Sequence, residues 1–160
     1  MAELVPLSSI SADAVESLLD AAFGVDRHER TAYLLRRGLA AIDHLSFAVT
    51  DQHSLVGSIQ CWPVRANAAP LILVGPVAVS PERQNQGIGH RLVHATLGAV
   101  EPTDPPMVMI GDPEYYGRFG FFADETGGWI LPGPWEPQRL LVRNPYGQKL
   151  PETAKVGPRL

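Results

Sequence analysis

Apolar and polar positions change period several times along these 160 residues. Glu3 to Leu7 reads as a short first strand. Ser11 can then cap a helix over Ala12 to Ala22, with Asp13 and Glu16 in the first turn, where carboxylates oppose the helix dipole. Val15, Leu18, Leu19 and Ala22 recur at helical spacing, and Gly24 is a natural stop. Asp26 is placed to cap a second helix over Arg27 to Arg37, with Tyr33-Leu34-Leu35 as its apolar side and Gly38 at its end. Two β-rich runs follow, Leu45 to Thr50 and Leu55 to Val64, around the polar turn Asp51-Gln52-His53-Ser54, which predicts a hairpin. After a turn at Ala66 to Ala69, Pro70 to Val79 is a long apolar strand interrupted at Gly75-Pro76. Proline has no N–H for the ladder, so the interruption predicts a bulge or a local parting from a neighbour.

From Gly87 to about Val100 the period becomes helical again. Ile88, Leu92, Ala95 and Ala99 share a face that Val93, Leu97 and Val100 widen. A proline-rich connection from Glu101 leads into Pro106 to Ile110, continuously apolar like a strand buried on both faces. Glu114 to about Phe119 reads as a brief helix stopped by Gly120, and Trp129 to Leu131 and Arg139 to Val142 are late strands. Phe119, Phe121 and Phe122 are expected in the core. Residues 144–160 read as a polar, loop-like tail behind one domain spanning 1–143. The order predicts a mixed α/β (α+β) fold with about six or seven strands, antiparallel at first, then with a parallel crossover around the Gly87 helix.

Composition narrows the function classes. At 45% hydrophobic and 19% charged residues the chain reads as soluble and globular. A net charge of −4 lacks the basic footprint of a nucleic-acid binder. No apolar run reaches the roughly 18 residues of a membrane span, and the start has no basic leader, so no membrane association is expected. The single cysteine, Cys61, excludes an intramolecular disulfide, fits a cytoplasmic location and reads as a small buried side chain. His90 and His94 stand four apart, but His90-Arg91-Leu92-Val93-His94 lacks the glutamate of a zinc-protease helix, and no metal is expected.

The chemistry concentrates in Val77-Ala78-Val79-Ser80-Pro81-Glu82-Arg83-Gln84-Asn85-Gln86-Gly87-Ile88-Gly89-His90. A strand entering a glycine-rich turn and then a helix presents free backbone N–H groups at a positive dipole end, which suits a phosphate or pyrophosphate. A nucleotide-binding P-loop would continue with Lys and Ser/Thr, whereas Gly89 is followed by His90 and Arg91. A dinucleotide fingerprint needs a third small residue where Leu92 stands. Such a glycine pair also serves tight helix–strand packing.

Gln84-x-x-Gly87-x-Gly89 after an apolar strand resembles the acetyl-CoA signature Gln/Arg-x-x-Gly-x-Gly/Ala of the GNAT superfamily of N-acyltransferases. Downstream, Gly111-Asp112-Pro113-Glu114-Tyr115-Tyr116-Gly117-Arg118-Phe119-Gly120-Phe121 is similar to the superfamily's later motif, in which a tyrosine four residues before Gly-Phe ends a short helix; the wording is nearest a branch of small bacterial members. The resemblance covers Leu45 to Phe122. It implies a GNAT-like fold with a splay after Gly75-Pro76. It also implies a cofactor-binding set of Val77, Ala78, Val79, Gln84, Asn85, Gln86, Gly87, Ile88, Gly89 and His90. In that set Val77 and Val79 would pair with the pantetheine arm, the N–H groups from Gln86 through His90 would hold the pyrophosphate, and Gln84 would support the turn. Arg118 would lie near the cofactor or form an exposed salt bridge. One departure is that Met109 stands seven residues before Tyr116, where many members carry an asparagine.

The implied reaction is acetyl transfer from acetyl-CoA to a primary amine of a small molecule or protein, by direct attack in a ternary complex. Tyr116 would be the general acid: a phenol with a pKa of about 10 stays protonated at neutral pH and can supply the departing sulfur. The N–H of Val79 would polarise the thioester carbonyl. No base is singled out; Glu29, His44, Glu82, Glu114 or a water chain would serve. The substrate would enter beside the Asp26–Gly38 helix, the hairpin and the Trp129–Trp135 region. The competing reading is a CoA-binding sensor or assembly module without catalysis, for which the tyrosine is not required. A homodimer is compatible with either.

Overall fold

The expected hairpin forms around a two-residue turn. In the computed structural model, which describes residues 2–160, β1 (Ala2–Pro6) pairs antiparallel with β2 (Phe47–Asp51), and β2 turns through Gln52 and His53 into β3 (Ser54–Ala66). Both turn residues are left-handed, with φ of 50° and 71°, which matches the right-handed twist of the flanking strands. Asn67, at φ 54°, turns β3 into β4 (Ala69–Val79). α1 (Ala12–Phe23) starts at Ser11, whose Oγ accepts from the Ala14 N–H at 3.2 Å, and stops at Gly24 with φ 91°.

The second helix is shorter than its pattern. Val25–Glu29 is a 3-10 turn, and α2 covers Thr31–Arg36. Arg27, expected on that helix, is instead buried and turned back onto α1, where it bonds Asp20 Oδ1 at 3.0 Å and Glu16 Oε2. A buried guanidinium needs carboxylate partners, and reaching those of α1 is incompatible with a straight helix through residue 27.

The chain folds as two compact units. The first comprises the residues up to Arg27, Ala41–Cys61 and Pro76–Pro102; the second comprises His28–Ala40, Trp62–Gly75 and Thr103–Leu160. In the first, Val15, Leu18 and Leu19 of α1 bury with Leu7, Ala48 and Ala78. α3 (Ile88–Ala99) packs so tightly on β3 that a Cβ on Gly57 would stand 2.6 Å from Ile88 Cγ2. Its buried face is Ile88, Leu92, Val93 and Thr96, with the expected Ala95 and Ala99 only half-buried. A polar residue occupies the centre because Thr96 Oγ1 donates to the Leu45 carbonyl at 2.9 Å. Cys61 is fully buried, and its thiol reaches that same carbonyl.

In the second unit, β5 (Met107–Ile110) runs parallel to β4, the expected crossover, and antiparallel to β7 (Leu140–Arg143). β6 (Gly128–Ile130) pairs in parallel with β8 (Thr153–Pro158), and β8 pairs antiparallel with β3. The sheet therefore has eight strands, paired in the order β1-β2-β3-β4-β5-β7 with β8 and β6 branching from β3. β8 lies in the segment expected to be loop. Asn67 holds it in place: its N–H and Nδ2 donate to the carbonyls of Lys155 and Thr153, both at 3.0 Å, and its Oδ1 accepts from the Lys155 N–H at 2.9 Å. Phe119 and Phe121 are buried as expected, but Phe122 is 54% exposed. It only bridges the edge of β7 at Val142, and successive residues of an extended segment face opposite sides. Among the described residues no helix is long and apolar enough to cross a membrane.

Candidate active site

The parallel ladder between β4 and β5 holds at Ile72 opposite Met107 and Leu73 opposite Val108. β4 continues to Val79 and β5 to Ile110, with no further pairing between them among the described residues. Gly75, with φ 132°, follows two positions later, and its carbonyl accepts the indole N–H of Trp62 at 2.7 Å. Farther along β4, the Ser80 N–H donates to the Val56 carbonyl of β3 at 2.9 Å. Backbone polar groups alternate between the edges of a strand. Ala78 therefore also faces β3, while Val77 and Val79 turn their N–H and C=O groups to the other edge.

Beyond β4 the chain makes a 3-10 turn at Pro81–Arg83 and passes through Asn85 (φ 62°) to Gly87 (φ 81°), which caps α3. No side chain caps the helix; its first intrahelical bond is the Arg91 N–H to the Gly87 carbonyl at 3.0 Å. The amides ahead of that bond lie at the positive end of the helix dipole. The two glycines are not packing glycines. A Cβ on Gly87 would meet nothing within 4 Å, and one on Gly89 would only touch Val79 Cγ2 at 3.7 Å. Close helix–strand packing is the task of Gly57, a strand glycine whose isolation in an apolar run was the available signal. The side chain that ties the turn is Arg83, which bonds Gln86 Oε1 at 2.9 Å and Asp51 Oδ2 at 2.9 Å, whereas Gln84 is exposed.

Tyr116 ends α4 (Pro113–Tyr116), which Asp112 caps by accepting from the Glu114 N–H at 3.0 Å. A 3-10 turn at Gly117–Phe119 follows, closed by Gly120 at φ 86°. The Tyr116 ring meets Tyr115 edge-on at 4.9 Å and Phe121 at 6.3 Å. A Cβ on Gly111 would stand 2.8 Å from that ring, so glycine at 111 makes room for the tyrosine. Burial above all, then the neighbouring Tyr115 and Asp112, raises the Tyr116 pKa above the ordinary 10.0, with Arg139 opposing. Its hydroxyl makes no hydrogen bond among the described residues. Arg118 folds back onto α4, with its guanidinium 4.5 Å from the Tyr115 ring centroid and Nε donating to the Tyr115 carbonyl at 2.9 Å.

The four candidate bases Glu29, His44, Glu82 and Glu114 are all exposed. Hydrogen bonds from its own N–H and from the Ser80 hydroxyl hold the Glu82 carboxyl below the usual range, which makes it a weaker base than an ordinary carboxylate. His90 and His94 stack at 5.9 Å, and no group of three or more potential metal ligands forms among the described residues. The Pro132–Pro137 loop is anchored on α2: the Thr31 hydroxyl donates to the Pro134 carbonyl, and Gly133 fits against Thr31 and Leu34.

The family model of the acetyltransferase (GNAT) domain matches residues 43–121. The uncharacterized N-acetyltransferase YhbS of Escherichia coli K12 is 30% identical over 121 residues, covering 70% of this chain and 68% of the relative. The chain belongs to the GNAT acetyltransferase family. Two solved structures share its fold. YhbS from Escherichia coli, in complex with CoA, superimposes with a TM-score of 0.73 at 22% identity, over 99% of this chain and 89% of that one. A GNAT family acetyltransferase from Brucella melitensis, in complex with acetyl-CoA, gives 0.69 at 23% identity, over 99% and 96%.

Proposed function

We propose that this chain transfers an acetyl group from acetyl-CoA to a primary amine of a small molecule or protein, by direct attack in a ternary complex. The observation that carries the reading is the amino end of α3, opened by a left-handed Gly87, uncapped by any side chain and clear of obstruction where a Cβ would stand. Those features fit a pyrophosphate, and the two fold relatives bound to CoA and acetyl-CoA support the same donor. Acetyl-CoA supplies an acetyl group already activated as a thioester.

The chain's own residues supply the rest. The amides from Gln86 through His90 hold the pyrophosphate, with Arg83 bracing the turn and left-handed Asn85 shaping it. Val77 and Val79 offer their free edge to the pantetheine arm, and the Val79 N–H polarises the carbonyl. The acceptor's ammonium gives one proton to water before attack; Tyr116 gives its hydroxyl proton to the sulfur that departs as the nitrogen–carbon bond forms, and the second proton lost by that nitrogen returns through water to the phenol. Burial suits Tyr116 to this role, because it favours the neutral phenol.

Calorimetric titration with acetyl-CoA and a thiol-release assay over an amine panel test the reading on wild type and Tyr116→Phe. We expect acetyl-CoA binding in both proteins and a turnover about 100-fold lower in the variant. Absence of acetyl-CoA binding refutes the assignment. Wild-type turnover in Tyr116→Phe removes the tyrosine from the chemistry, and binding without any transfer favours a sensor.

A further inference from the structure

The β2–β3 hairpin holds the loop ahead of α3 at two points. At the first, the Val56 carbonyl of β3 accepts from the Ser80 N–H at 2.9 Å. At the second, Asp51, the last residue of β2, accepts at Oδ2 from Arg83 Nη1 at 2.9 Å, and Arg83 Nε donates to Gln86 Oε1, also at 2.9 Å. Arg83 therefore has one arm on the hairpin and the other on the residue before Gly87. All of these residues lie in the first compact unit. The hairpin is shaped for the purpose. β2 and β3 pair in step as far as Val49 opposite Gly57, then slip by one, so that Thr50 stands opposite Leu55 and Asp51 opposite Ser54. The extra residue on β3 is Val56, whose carbonyl holds Ser80. A bulge of this kind re-aims the side chains beyond it, and Asp51 is one of them.

The Arg83 and Asp51 side chains are 27% and 22% exposed, so the pair is not an ordinary solvent-screened surface bridge. An arginine beside a phosphate cradle ordinarily serves as a charge for the phosphate. Here two of its donors are committed to Asp51 and Gln86, and the carboxylate offsets its charge. Its planar fork fixes two points at once, which a lysine does not do. A loop held in its binding conformation ahead of the ligand loses less entropy when the ligand arrives.

We infer that Asp51 is a positioning residue for the acetyl donor: through Arg83 and Gln86 it holds the loop in the shape in which the amides from Gln86 to His90 receive the pyrophosphate. Arg83 then acts as a strut between hairpin and loop, not as a ligand of the phosphate. The inference rests on the acetyl-CoA reading of that loop for its ligand, but not for the order of the loop itself.

The test is calorimetric titration with acetyl-CoA on wild type, Asp51→Asn, Arg83→Gln, Arg83→Lys and the double variant Asp51→Asn with Arg83→Gln. Asp51→Asn and Arg83→Gln should each weaken binding about 5-fold or more, and the double variant no more than the worse single one. The sign for Asp51→Asn decides most, because removing a carboxylate near the site of a polyanion would by charge alone tighten binding. Arg83→Lys should recover little, since the charge returns without the fork. In the thiol-release assay the loss should fall on the KM for acetyl-CoA, with kcat moved far less. Amide hydrogen exchange across residues 80–90 without acetyl-CoA gives a readout independent of the donor, and it should quicken about 5-fold or more in both single variants. Urea denaturation checks that the variants are folded; should Arg83→Gln not fold, Asp51→Asn and Arg83→Lys still decide. Unchanged or tighter binding in Asp51→Asn, additive losses in the double variant, full rescue by Arg83→Lys, or unaltered loop exchange overturns the inference. Failure of acetyl-CoA to bind wild type refutes the donor reading, and the exchange measurement then judges the strut alone.

Discussion

The Ser80–His90 loop and the Gly111–Phe121 turn both depend on glycine, for opposite reasons. Gly87 gives the loop a left-handed residue and leaves open space beside it, which the proposed recognition by main-chain amides requires. Gly111 gives up its Cβ to the Tyr116 ring, so glycine there serves one side chain. A site made of backbone is set by conformation and tolerates varied side chains; a site made of one phenol is set by packing. Gly57 shows a third use, the seating of α3 on β3.

The comparison breaks most readily at the tyrosine. Tyr116→Phe keeps the ring and its packing but removes the proton, so kcat should fall about 100-fold while acetyl-CoA affinity, read by calorimetry, stays within about 3-fold. A loss of affinity instead of turnover would make the tyrosine a binding group and erase the contrast. The pH profile sharpens the same point. As the proposed acid Tyr116 would act only while protonated, and burial raises its pKa, so activity that depends on it should be present below pH 10 and decline only above it. A descending limb below pH 10 that disappears in Tyr116→Phe would contradict this.

The glycines should separate by size of effect. Gly57→Ala places a Cβ 2.6 Å from Ile88, and overpacking of that kind costs about 1–3 kcal/mol, visible in urea denaturation. Gly87→Ala should cost about 1 kcal/mol for its left-handed φ of 81° and weaken acetyl-CoA binding as well. Gly89→Ala meets only ordinary contact at 3.7 Å and should change stability by less than about 0.5 kcal/mol. Equal destabilisation at 87 and 89 would mean that the pair serves packing after all.

What could be read from the chain beforehand was local. The hairpin around Gln52-His53 and the Ser11 cap depend on neighbours in sequence and appear as expected, and the parallel crossover into β5 follows from the order strand, helix, strand. What escaped depends on distant partners. Arg27 looked helical until α1 supplied its carboxylates, and the expected face of α3 omitted Thr96, which the Leu45 carbonyl makes possible at its centre. Ala154 and Val156 alternate with Thr153 and Lys155, but four residues before Gly157-Pro158 are too short a pattern to stand out from a loop. Membership of the family was legible because glycine spacing is written directly in the sequence. The Arg83 brace was not, since it reaches Asp51 across the hairpin and the long strands that follow.

Asn67 and β8 also bear on how the chain folds. Val64 must find Pro158, and Asn67 must find Thr153 and Lys155, across most of the second half of the chain. Contacts so distant in sequence require loop closure before they return any stabilisation, and they slow folding. Until β8 arrives, the far end of β3 lacks this partner and the Asn67 amide has no ladder to join. β8 thus closes a sheet that β1, β2 and β3 begin far earlier in the chain, and folding of this edge during translation has to wait for it.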